Sequence, residues 1–342
     1  MRNLVTKQKI LEVKQIPDAD SIELVIIKGW QCVAKKGEFK PGDSCVYFEV
    51  DSYLPIDERY EFLRKTSYRN NEYMGEGFRI KTVRFRGEIS QGLALPVSSF
   101  PEAAAAADGA DVTDLLNVRK WEMPEQVGSA GVAVGDKPYG IPTTDEIRIQ
   151  AMPEFLEHFM GKPYYISTKM DGTSCTVYVK DGKTGVCGRN DEYKEDPETC
   201  SMWAYVYKHN LREKLAALGE DIALQGEFCG AGIQKNRLRL YEPTLFVFDV
   251  VKIGDDDKLR KCGLDEILSY CDKLGIQSVP IEETGDSFNY TLTELIERAK
   301  GKYASGLDKE GIVVRTRDYG RMGSNKLSFK VINNDFLAKE KD

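Results

Sequence analysis

The first hundred residues carry short apolar runs at nearly even spacing, and that pattern leaves few folds open. Residues 9–13, 22–27, 31–34 and 45–50 are apolar or alternating, and turn residues part them, as at Pro17-Asp18-Ala19-Asp20 and Pro41-Gly42-Asp43. Two later runs, 78–85 and 92–95, are split by Arg86-Gly87-Glu88. Many short strands joined by tight turns fit a small closed barrel, and the five-stranded OB type suits this length.

Residues 101–143 read differently. Pro101-Glu102 leads into five alanines, then Asp108-Gly109-Ala110, and later a Gly-rich stretch. We expect a linker or junction there, with a helical turn or two in the alanines. From Thr144 onward helical and strand-like patterns mix. Helical spacing covers 153–160, 198–217, 264–274 and 292–300, and apolar strand-like runs cover 164–167, 174–179, 222–224, 244–251 and 311–315. The expected fold class is therefore α+β. An OB-like barrel over 1–100 precedes a junction over 101–143, and a second domain of antiparallel sheets flanked by helices spans 144–342.

Composition narrows the chemistry more than it names it. The 342 residues hold eight cysteines but no Cys-x-x-Cys pair, and only two histidines. That opposes a zinc site, a disulfide framework and His-based triads, and predicts reduced, packed thiols. No apolar run approaches the roughly 20 residues of a membrane span, and the first residues lack the apolar core of a signal peptide. The expected compartment is cytoplasmic or otherwise reducing. Net charge is −7, so binding to a polyanion would rest on local basic clusters rather than the average.

The segment Ser167-Thr168-Lys169-Met170-Asp171-Gly172-Thr173-Ser174 holds a lysine at the tip of an apolar strand, followed by a turn and a second strand. By itself Lys-x-Asp-Gly describes many hairpins with an exposed lysine. Its company is more specific. In order come Arg189-Asn190, Leu224-Gln225-Gly226-Glu227, Phe246-Val247-Phe248-Asp249-Val250, Asp308-Lys309-Glu310-Gly311-Ile312-Val313-Val314-Arg315, and Lys326-Leu327-Ser328-Phe329-Lys330. With these five segments in register the sequence resembles the covalent nucleotidyltransferases: ATP-dependent DNA and RNA ligases and mRNA capping enzymes.

The resemblance makes Lys169 the nucleophile that takes AMP. A free lysine, with a pKa of about 10.4, is a poor nucleophile at neutral pH, and Lys326 and Lys330 would supply the like charge that tunes it down. Asp171 and Glu310 would hold Mg2+ or Mn2+, and Glu227 the ribose or the metal. Phe246 or Phe248 would stack on adenine, with Ile312 as the opposite wall. Thr168, Arg148, Arg189 and Asn190 complete the implied nucleotide-binding set.

Capping enzymes and DNA ligases usually carry an OB domain after the last motif, and the twelve residues beyond Lys330 do not hold one. With its barrel first, the chain resembles the RNA ligases of Deinococcus and Naegleria type. Thr144-Asp145-Glu146-Ile147-Arg148-Ile149-Gln150 lies about twenty residues before the lysine, as in that family. The segments Lys81-Thr82-Val83-Arg84-Phe85-Arg86-Gly87 and Ser90-Gln91-Gly92 match in the barrel. The implied activity is ATP-dependent joining of RNA 3′-hydroxyl and 5′-phosphate ends, as in nick sealing and RNA repair, by a monomer. Lys81, Arg84 and Arg86 are the implied RNA contacts. Two departures stand out: Ser328 replaces the first lysine of the last motif, and Ser174 replaces an arginine frequent after Lys-x-Asp-Gly. The alternatives are a DNA ligase, a guanylyltransferase or a non-catalytic RNA-binding protein.

Overall fold

A computed structural model describes residues 3–122, 131–138, 140–254, 259–318, 321–322 and 325–339, with side chains undescribed at 321, 322, 325 and 326. The chain forms two compact units. One comprises 1–125 with 150–153 and 337–342, and the other 126–149 with 154–336.

The first unit is built almost wholly from short strands. Glu12–Gln15, Ile22–Ile27 and Trp30–Lys35 form a meander. Val5–Lys9 and Leu93–Pro96 flank Ser44–Phe48. One core gathers Val25, Ile27, Trp30 and Tyr47, and a second gathers Phe48, Tyr60, Phe78 and Phe100. Residues 101–121, expected as a junction, belong to this unit. Ala103, Val112, Leu116 and Val118 join the Phe48 core, and Arg119–Lys120 pairs with Ser52–Leu54. The alanine run misleads because only Pro101–Ala104 is helical and a single alanine is enough to seat it.

Two large sheets and a short two-stranded ribbon make the second unit. The larger runs Ala133–Asp136, Asp191–Tyr193, Lys183–Cys187, Thr173–Lys180, Ile222–Cys229, Thr244–Ile253, Leu259–Lys261. The smaller runs Ile147–Arg148, Ser328–Ile332, Gly311–Thr316, Tyr164–Lys169, Ile281–Gly285. Pairing is antiparallel, as expected, except where Ile147–Arg148 lies beside Ser328–Ile332 and Gln277–Ser278 beside Thr244–Ile253. Helices Ser201–Lys208, Leu211–Ala216 and Leu264–Leu274 pack on the large sheet through Trp203, Leu215 and Ile267. The single helix expected over 198–217 is broken at Asn210, whose φ of +51° ends one helix and caps the next. Leu292–Arg298 and the 3-10 turn Pro153–His158 cover the small sheet. All eight cysteines are buried free thiols. Among the described residues no helix is long and apolar enough to cross a membrane.

Candidate active site

Strand register sorts the small sheet into two faces, because side chains alternate and directly paired residues share a side. Lys169 opposes Gly311, Ser167 opposes Val313, Val313 opposes Lys330, and Lys330 opposes Arg148. Lys169, Val313, Lys330 and Arg148 therefore share one face. Thr168, Ile312, Val314 and Phe329 occupy the other. Ile312 is fully buried there among Ile149, Phe159 and Phe329. Ile312, expected as the adenine wall, therefore faces away from the lysine, and Val313, one residue on, shares the lysine's face. The Thr168 side chain likewise turns from the lysine and donates to Glu282 at 2.8 Å.

Asp171 and Gly172 carry the chain from the lysine strand into the large sheet. A Cβ at Gly172 would stand 2.4 Å from the Phe228 carbonyl oxygen, so only glycine allows this approach. Register then puts Ser174 opposite Glu227 and Glu227 opposite Phe246 on one face of the large sheet. A bulge between Gln225 and Gly226 leaves Phe248 without a direct partner, and it packs on the same side as Phe246 beside Met170, Cys229 and Val279. The Arg315 guanidinium lies 5.3 Å from the Phe248 ring centre.

Charge is concentrated around the lysine. Lys169 Nζ pairs with Glu310 Oε1 at 2.7 Å, and both side chains are largely buried. Burial alone would push the ammonium toward neutrality. The carboxylates of Glu310, Glu227 and Asp171 together outweigh it and hold Lys169 above its ordinary lysine value. This reverses the expectation of a lysine tuned down by its neighbours. Like-charge repulsion falls instead on Lys330, which burial and the Lys169 charge push down to about 8. Burial, with Glu310 and Asp171 adding like charge against Lys169, pushes Glu227 up to about 7. Among the described residues no three carboxylate, cysteine or histidine side chains converge tightly enough to grip a metal directly.

Groups that the motifs do not reveal fix this arrangement. Tyr303 Oη donates to the Lys169 carbonyl at 2.7 Å and accepts from the Glu310 N–H at 3.0 Å, so one ring spans both ends of the ion pair. Arg237 Nε pairs with Asp171 at 3.1 Å and lies 4.1 Å from the Phe336 ring centre. Buried Lys309 grips Glu282 at 2.6 and 2.8 Å. Ser328 donates to Glu146, which pairs with buried Arg315 at 2.8 Å. Position 328 therefore serves a buried network in place of a lysine's charge. Arg189 binds Asp145 at 2.7 and 2.9 Å, and the exposed Asn190 accepts from the Lys137 N–H at 2.7 Å. Lys326 lies in the ribbon of Arg321–Met322 with Asn325–Lys326, and its side chain is outside the described residues.

In the first unit, Lys81 lies just before the hairpin of Thr82–Phe85 and Glu88–Gln91, turned by Arg86 and Gly87 at φ of +48° and +87°. Arg84 and Arg86 are exposed, donating to the carbonyls of Gly87 and Asp18, and Val83 and Phe85 beside them are exposed too.

An OB-fold domain model matches residues 4–97, and an RNA ligase model matches residues 162–332. A search of curated protein sequences finds no match. Among solved structures the chain is similar to Naegleria gruberi RNA ligase. A variant with AMP and Mn shares 36% identity at a TM-score of 0.89, with 100% of each chain covered. The same ligase with PPi shares 36% over 99% of each chain at a TM-score of 0.88. A further variant, with ATP and Mn, shares 37% over 100% of each chain at 0.89.

Proposed function

The chain belongs to the RNA ligase family, and from that premise we propose how it joins RNA ends. Lys169 Nζ attacks the α-phosphorus of ATP, a P–N bond forms, and pyrophosphate leaves. AMP then passes from the lysine to an RNA 5′-phosphate, and a 3′-hydroxyl displaces AMP to make the phosphodiester. A nicked duplex bound by a monomer is the proposed substrate complex.

The observation that carries this reading is the Lys169–Glu310 pair, set on one sheet face with Lys330 and Arg148. The nucleophile must leave Glu310 and lose its proton before it reacts. Lys330 and Arg148 share its face and would offset charge on the phosphates as the leaving group departs. Phe246 or Phe248, with Val313, would bound adenine, and Glu227 lies level with Phe246 for the ribose or the metal. Asp171, Glu227 and Glu310 are hard oxygen donors, and burial, aided by the neighbouring carboxylates, raises Glu227 to about 7. They fit Mg2+ or Mn2+ held through its water shell, which would neutralise phosphate charge. Arg189, paired with Asp145, and Asn190, whose carbonyl accepts from the Lys137 N–H, would be further nucleotide contacts.

The test is incubation with ATP labelled at the α-phosphate and a divalent cation, followed by a denaturing gel. Label should stay on the wild type and be absent from Lys169→Ala. Equal label on both would move the nucleophile elsewhere, and no label on either would favour a non-catalytic RNA-binding protein.

A further inference from the structure

One cation on the large sheet has no role in the chemistry above. Lys137 Nζ donates to Thr176 Oγ1 at 3.3 Å. Among the described residues no carboxylate lies within ion-pair distance of it. Asp145, whose charge it feels, is engaged by Arg189 at 2.7 Å. A partly buried ammonium with one long hydroxyl contact is an expensive arrangement, and two of its three N–H donors are left for water or a ligand.

The ammonium is also well placed. Lys137, Pro142 and Thr144 lie along the site face of the large sheet. The Lys137 N–H donates to the Asn190 carbonyl at 2.7 Å, Gln225 Nε2 donates to the Pro142 carbonyl at 2.8 Å, and the Thr144 and Ser174 hydroxyls are 2.9 Å apart. Thr176 shares a face with Ser174, two residues away, which is about 6.6 Å along a strand. Ser174 opposes Glu227, and Glu227 opposes Phe246. A nucleotide with its base at Phe246 and its α-phosphate at Lys169 would hold its sugar over Glu227 and Ser174, within reach of a lysine side chain above Thr176.

We propose that Lys137 donates a hydrogen bond to a ribose hydroxyl of bound ATP, completing with Ser174 and Glu227 a pocket for the sugar. The inference rests on Lys169 being the adenylylated residue. That reading fails if the wild type does not label or Lys169→Ala still does, whereas this one is tested in an enzyme that labels normally.

Lysyl-AMP formation by the full chain is followed against ATP, 2′-deoxyATP and 3′-deoxyATP for wild type, Lys137→Met and Lys137→Arg. Lys137→Met keeps the stem and removes the donors. The ATP concentration for half-maximal rate should rise on the order of tenfold, the scale of one charge-assisted hydrogen bond, with the saturated rate nearly unchanged. With whichever deoxynucleotide lacks the contacted hydroxyl, Met and wild type should converge, and Lys137→Arg should retain most of the ATP preference. An equal penalty with all three nucleotides would place Lys137 on a phosphate or in the fold and overturn the proposal. So would an unchanged ATP requirement in Lys137→Met.

Discussion

Lys169 rests as half of an ion pair, and that state sets what must change before it reacts. Its ammonium is held up by three carboxylates, while burial, with the Lys169 and Arg148 charges on the same face, pushes the nearby Lys330 down. The pKa of Lys330 is lowered, so its charge is present well below pH 8 and is lost as pH rises through about 8. ATP binding measured by calorimetry without metal should weaken across that range. Lys330→Arg, which stays protonated, should flatten the dependence, and an unaltered slope would remove Lys330 from the phosphates. At this scale the sequence is legible where chemistry leaves a collinear signature, as at Lys169, Glu227 and Glu310. It is opaque where packing decides. Tyr303 is separated from Lys169 by 134 residues and touches it only through the backbone, so no local pattern announces it. Val313 was within reach: counting pairs from Lys169 would have set it, and not Ile312, on the lysine's face.

Strands place these residues, so an element that cannot pair correctly should disable the site without touching a reactive group. Gly311 follows Glu310 and pairs with both Lys169 and Ile332. A Cβ there would meet the Val331 carbonyl oxygen at 2.1 Å, and the backbone already has a φ of +151°. Gly311→Ala should cost about 1–3 kcal/mol through overpacking, seen as a lower thermal midpoint. It should also reduce lysyl-AMP formation by shifting Glu310. A variant with wild-type melting and labelling would refute the close approach. The five longest apolar runs of the second unit were readable as strands, its short edge strands were not, and 264–274 was readable as a helix because its apolar spacing ends at Gly275. The break at Asn210 was not, since a left-handed residue inside an amphipathic stretch leaves its periodicity intact.

Over the whole molecule, the proposed chemistry and the proposed RNA contact fall to different units. The reactive groups all lie in the second unit, while the exposed hairpin bearing Val83, Arg84, Phe85 and Arg86 belongs to the first. An exposed hairpin with cations and a ring suits single-stranded or nicked RNA, with phosphates meeting the cations and bases the ring. Arg84→Ala/Arg86→Ala should therefore weaken sealing of a nicked RNA, by a factor that shrinks as salt rises because fewer phosphate contacts leave a shallower salt dependence, and spare self-adenylation. Equal loss of both activities would assign the hairpin to folding. The sequence names Arg84 and Arg86 through a local basic cluster rather than through the net charge of −7, because an average cannot report where cations gather.

The buried thiols bear on how such a protein can be watched. Burial raises the pKa of every one of the eight cysteines, so none offers the reactive thiolate that alkylating dyes require. The native chain is in effect already a cysteine-light scaffold. A single cysteine introduced on an exposed residue such as Tyr241 would accept a fluorophore selectively, with no prior removal of native sulfur.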